Sequence, residues 1–128
     1  MSFNVKFEVF NNYLSVKMDT LPTVEEVDTL LSDFLRSGKF APNTNILYDL
    51  TTVSADYIDG DLIRKYVSAR EKYPERGSAK IAMLVASKVA YGLSRMYELL
   101  SEKLRQRIMV FDNRDEAVRW VQESSLTK

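Results

Sequence analysis

Asp49, Asp56, Asp59 and Asp61 crowd around the end of one apolar run, and oxygen ligands of this kind could hold a hard cation such as Mg²⁺. Their spacing fits no calcium-loop pattern, and caps with solvated helix starts account for the same residues, so no metal is expected. Paired-carboxylate catalysis asks for an acid and a base set apart in a recognition cleft. Nothing in the chain marks such a cleft. Ser87-Lys88 and Ser101-Glu102-Lys103 place hydroxyls beside amines, but a serine–lysine nucleophile needs adjacency in space and a desolvated lysine. The glycines stand isolated at 38, 60, 77 and 92, so there is no phosphate-cradling loop, although a bare helix N-terminus can still hold a single anion. The expectation is therefore no catalytic residue and no cofactor.

Composition narrows the classes further. The 18 basic and 18 acidic residues cancel, so no global field draws in nucleic acid or an anionic membrane surface. Histidine and cysteine are both absent. That removes serine–histidine triads, thiol nucleophiles, disulfides and the usual zinc sites. The first residues lack a basic stretch followed by an apolar core, so a cytoplasmic location is expected. The longest apolar run, Ile81 to Ala86, is far short of the ~20 residues that span a bilayer as a helix. No membrane insertion is expected.

The elements that would position these residues come from periodicity. Phe3 to Phe10 and Tyr13 to Met18 alternate apolar with polar around Asn11-Asn12, which predicts an antiparallel hairpin with one wet face. Ile46 to Leu50, Ile81 to Ala86 and Ile108 to Phe111 are short apolar runs without alternation. They predict strands buried on both faces, as in a parallel sheet. Helices are expected after Thr23, which stands at capping-box spacing from Glu26, from Asp59 to Tyr73, after Ser87, and after Asn113. Gly38 fits a C-terminal cap of the first helix. The order is ββαβαβαβα: an N-terminal β-hairpin, then an alternating α/β pattern, giving a mixed, mainly parallel five-stranded sheet flanked by four helices. A single domain over residues 1–123 is expected, with a frayed tail over 124–128.

In such a sheet ligands bind beyond the carboxyl ends of the parallel strands. That edge is made of Thr51 to Asp59, Ser87 to Tyr91 and Asp112 to Asp115. Tyr91 and Arg95 stand four apart on the helix face opposite Leu93, Met96 and Leu100, an aromatic beside an arginine that suits a partner or ligand contact. An ordinary amphipathic exterior, with Gly92 admitting a close helix, explains the same residues.

At Asp49-Leu50-Thr51-Thr52-Val53-Ser54, followed by Gly60, the chain resembles the STAS domains of anti-sigma-factor antagonists. With Ile81-Ala82-Met83-Leu84-Val85, Gly92-Leu93-Ser94-Arg95-Met96-Tyr97-Glu98 and Glu116-Ala117-Val118-Arg119-Trp120-Val121, the pattern is similar to the SpoIIAA-like group of small bacterial STAS/SEC14-type proteins. Where the antagonists carry the phosphorylated serine, this sequence places Ile58, then Asp59 and Gly60. The phosphoserine switch is not carried over; Asp59 either imitates a permanent charge or is a plain helix cap. The resemblance implies a non-enzymatic regulatory or protein-interaction module, paired with a second copy or another protein. Its binding rim is assigned to Asp49, Thr51, Ser54, Asp56, Asp59, Ser87, Tyr91 and Arg95. The alternative is the carrier side of the same likeness, in which helices part around a small apolar molecule. Loose packing around Met83, Met96 and Met109 would be its mark.

Overall fold

Short polar side chains start three of the helices. Glu26 N–H donates to the Thr23 hydroxyl oxygen at 3.1 Å and Thr23 N–H donates to Glu26 Oε1 at 2.7 Å, a reciprocal box that opens α1 (Val24–Ser37). Gly38 ends α1 at φ 68°, a left-handed position that favours glycine. The Ser87 hydroxyl accepts from Ala90 N–H to open α3 (Lys88–Leu100), and the Asn113 side chain accepts from Glu116 N–H to open α4 (Arg114–Gln122). α2 (Gly60–Glu71) leads into a single 3₁₀ turn, Pro74–Arg76.

The computed structural model describes residues 5–9, 13–38, 41, 43–53, 60–77, 79–104 and 106–123. The expected Asn11-Asn12 turn, the candidate residues Ser54, Asp56 and Asp59, and the tail from Ser124 lie outside the described residues. Among the described residues, β1 (Val5–Val9), β2 (Tyr13–Met18), β3 (Asn45–Asp49), β4 (Lys80–Leu84) and β5 (Arg107–Phe111) form one sheet in that spatial order. β1 runs antiparallel to β2, and β2 to β5 are mutually parallel. The α/β class and the parallel central strands agree with the sequence. No helix among the described residues is long and apolar enough to cross a membrane.

The register sets the two faces. Leu14 lies opposite Ile46, Ile46 opposite Ile81, and Ile81 opposite Ile108, so one row of aliphatic side chains crosses four strands. α1, α2 and α3 cover that face, where Leu14, Val16, Ile46, Leu50, Val85 and Val110 form the larger core with Leu30 and Phe34 of α1. α4 covers the other face, packing Ala117 and Val121 on Tyr13, Leu47, Ala82 and Leu84. Each buried aliphatic side chain contributes about 1.5–3 kcal/mol.

Two expectations are corrected. β2 is no wet hairpin strand: Tyr13, Leu14, Ser15, Val16 and Met18 are all buried, because β2 sits inside the sheet between β1 and β3 with α-layers on both faces. β5 is not buried on both faces. It is the terminal strand, Arg107 is exposed and Met109 is 43% exposed, because α4 is seated chiefly over β3 and β4.

α4 is held by groups that the apolar pattern does not reveal. Buried Asn45 donates from Nδ2 to Val121 O at 2.9 Å and accepts from Lys80 N–H at 2.9 Å, tying helix to strand. The Lys80 ammonium donates to Trp120 O and Glu123 O, lies 5.1 Å from the Trp120 ring centre and pairs with Glu123, so a cation from β4 caps the negative end of α4. Asn45→Ala orphans a buried carbonyl and a buried N–H, and should lower stability by about 2–4 kcal/mol without changing the urea m-value. Equilibrium urea unfolding checks this; a loss under about 0.5 kcal/mol would show that the Asn45 bridge holds nothing.

Candidate functional site

Between the sheet and α1, α2 and α3 lies a cavity of about 130 Å³. Met18, Leu50, Val53 and Val85 form its wall near the carboxyl edge of the sheet, Leu30 and Leu93 close it from α1 and α3, and Tyr48 and Met83 belong to its floor. Tyr73, Arg76 and Gln106 stand at its far end, toward the amino ends of β4 and β5. Of the three methionines whose packing was singled out, Met83 lines this cavity. Met96 instead lies close to Gly60, its Cε 3.4 Å from where a Cβ on that glycine would stand, and Met109 is out on the terminal strand.

The polar lining comes mainly from α2. Ile63, Tyr66, Val67 and Arg70 follow each other at helical spacing, so the inward face of α2 carries a guanidinium along with its apolar side chains. Arg70 is 5% exposed; it donates from Nη1 to Ser101 Oγ at 2.7 Å and from Nη2 to Gln106 Oε1 at 2.8 Å, and lies 5.2 Å from the Tyr97 ring centre. Its Nε–H, also buried, has no hydrogen-bond partner among the described residues. Arg76, 2% exposed, donates from Nη1 to Thr44 O at 2.8 Å and stacks on Phe34. Burial lowers the Arg76 pKa, with Tyr48 opposing and the Arg70 charge adding to the fall. The Tyr66 hydroxyl donates to Pro22 O, and the Tyr73 hydroxyl donates to the Asp28 carboxylate, so these two tyrosines bind α2 and its following turn to the α1 side of the cavity.

Burial pushes the Tyr48 and Tyr97 phenols up, against the pull of the neighbouring arginines, and pushes Tyr66 up to about 12. All three are neutral donors near pH 7. Sequence reasoning missed Arg70 and Arg76. The legible signal for Arg70 was its place seven residues after Ile63 on the packed face of α2; for Arg76, inside a three-residue turn, no periodic signal existed.

The residues expected at the carboxyl edge are placed as follows. Asp49 and Thr51 come together: Thr51 donates to Asp49 Oδ1 from its hydroxyl at 2.6 Å and from its backbone N–H at 3.0 Å, while Arg114 of α4 donates to Oδ2 at 2.7 Å. The Ser87 hydroxyl is engaged as the α3 cap. Tyr91 and Arg95 lie exposed on α3, with Arg95 paired to Glu98 at 2.5 Å. Among the described residues a Cβ on Gly92 would meet nothing within 4 Å, so no described helix packs there. Among the described residues no group of three acidic side chains is gathered to hold a metal.

Burial pushes the Asp49 carboxyl up, but hydrogen bonds from Arg114 and Thr51 outweigh it and hold the pKa at about 2. A folded pKa below the ordinary 3.8 stabilises the fold in full above that value, and the stabilisation is lost as pH falls through about 2. Arg114→Ala should therefore destabilise by about 1–2 kcal/mol at neutral pH, with the gap to the parent chain closing in strong acid. Thermal melts across pH check this; a gap that is independent of pH would remove the ion pair as its cause.

No family model matches the chain, and no curated protein matches it. One solved structure, described as an uncharacterized protein from the DUF3478 family with a SpoIIAA-like fold from Shewanella loihica PV-4, superposes with a TM-score of 0.61 at 16% identity, covering 93% of this chain and 93% of that one. At that identity the likeness speaks for the fold alone. The chain has a SpoIIAA-like fold.

Proposed function

We propose that this chain is a non-enzymatic binding module of regulatory type, which takes a small molecule with an apolar body into the cavity beneath α1, α2 and α3. The observation that carries the reading is the cavity itself, walled by Met18, Met83 and aliphatic side chains and equipped with a few convergent polar groups. Methionines adapt to irregular contents, and the tyrosine bonds from α2 and its following turn to the α1 side place that side of the cavity where occupancy can be felt by the helices. Through those helices a bound molecule would be sensed at the surface. Native mass spectrometry of freshly purified protein should reveal a retained small molecule or uptake of an added apolar one. Leu93→Trp, which fills the cavity from α3, should abolish uptake while leaving the melting temperature equal or higher. Uptake undiminished in that variant would overturn the reading.

A second reading rests on the outer stripe of α3. Tyr91 and Leu99 are 38% and 54% exposed on either side of Arg95, an apolar and cationic strip suited to a second copy of this chain. Sedimentation at micromolar concentration should show a dimer that Tyr91→Ala with Arg95→Ala weakens at least ten-fold. A monomeric parent chain, or a dimer that the two substitutions leave unchanged, would exclude this surface.

A further inference from the structure

We infer that the cavity selects a small carboxylate with an apolar body of about six carbons, its carboxylate accepting from Arg70 Nε–H. The inference rests on the uptake reading above and adds the chemical class. Among the described lining residues the charged side chains are Arg70 and Arg76 alone, and no aspartate or glutamate stands with them. Ser101, Gln106 and the Tyr97 ring hold the Arg70 guanidinium in place, yet all three are neutral, so they satisfy hydrogen bonds without balancing a charge withdrawn from water. Two Nη donors are thereby fixed and Nε is left over, buried and pointing to no protein acceptor among the described residues. An anionic oxygen there gains a charge-assisted hydrogen bond in a poorly screened site.

A second group belongs to the same wall. Tyr48, its phenol kept protonated by burial, also lines the cavity, and its hydroxyl is assigned as the donor to the other carboxylate oxygen. Size sets the rest of the class. The volume of about 130 Å³ is close to the roughly 150 Å³ of an engineered apolar cavity that takes benzene, which suits a six-carbon body and is too small for a long acyl chain. With Arg76 held on Thr44 O and the Phe34 ring, the Arg70 Nε–H is the guanidinium donor offered, and a single such donor suits a monoanion better than a phosphate dianion.

Calorimetric titration with hexanoate, hexan-1-ol, hexylamine and phenylphosphonate tests the inference. Hexanoate should bind at least ten-fold more tightly than hexan-1-ol, and hexylamine should not bind. In Arg70→Met the preference for hexanoate should vanish while hexan-1-ol still binds. Hexan-1-ol binding as well as hexanoate to the parent chain overturns the inference and leaves the cavity reading standing; tighter phenylphosphonate binding also overturns it. Failure of every probe to bind overturns the inference, and where native mass spectrometry also shows no retained or added molecule it removes the cavity reading itself. Should Arg70→Met not fold, the parent-chain series decides alone, with Tyr48→Phe expected to weaken hexanoate and spare hexan-1-ol.

Discussion

A guanidinium seated inside an apolar layer is the constraint on which the arrangement of α2 depends. Arg70 occupies a position on the packed face of that helix where an aliphatic residue would complete the stripe begun by Ile63, Tyr66 and Val67. Holding it there takes neutral acceptors from two other places, Ser101 at the end of α3 and Gln106 just before β5, together with the face of Tyr97. These groups link α2 to the end of α3 and to the start of β5, and Arg70, Tyr97 and Gln106 are part of the cavity lining. A buried cation that stability alone would select against points to a role beyond packing.

The opposite face of the sheet is organised by a different set of polar contacts. Asn45 and Lys80 fasten the C-terminal end of α4, while Arg114 at its start reaches Asp49 across the carboxyl edge. Both ends of α4 are thus tied to the sheet by hydrogen bonds to groups of limited exposure. Asp49, one of the four aspartates considered as cation ligands, is engaged in closing this edge, with Thr51 supplying two of its three hydrogen bonds. In the cavity, on the three-helix face, the Arg70 Nε–H is committed to no described residue.

Much of the helical framework was legible because its signals are local. Thr23, Ser87 and Asn113 each cap the helix that their spacing announces, and the apolar runs of β3 and β4 are buried as their composition requires. What was hidden depends on neighbours distant in sequence. Met109 and Arg107 are exposed because of where α4 lies, and Ser15 is buried because of the strand that follows 30 residues later, neither of which is written in β5 or β2. Within the candidate site, Asp49 and Thr51 could be placed from the strand end, but Arg114 is 65 residues away from Asp49. Arg70, Arg76 and Lys80 were hidden for a further reason: a lone cation in an amphipathic pattern is ordinarily solvated, and only tertiary packing turns it inward.

The proton on Arg70 Nε offers the most direct test of the account. Its ¹H–¹⁵N resonance should shift downfield on addition of hexanoate, and its exchange with water should slow, as a new anionic acceptor is gained. An unmoved Nε–H resonance, recorded while the Met83 methyl signal reports that the cavity has filled, would contradict the account.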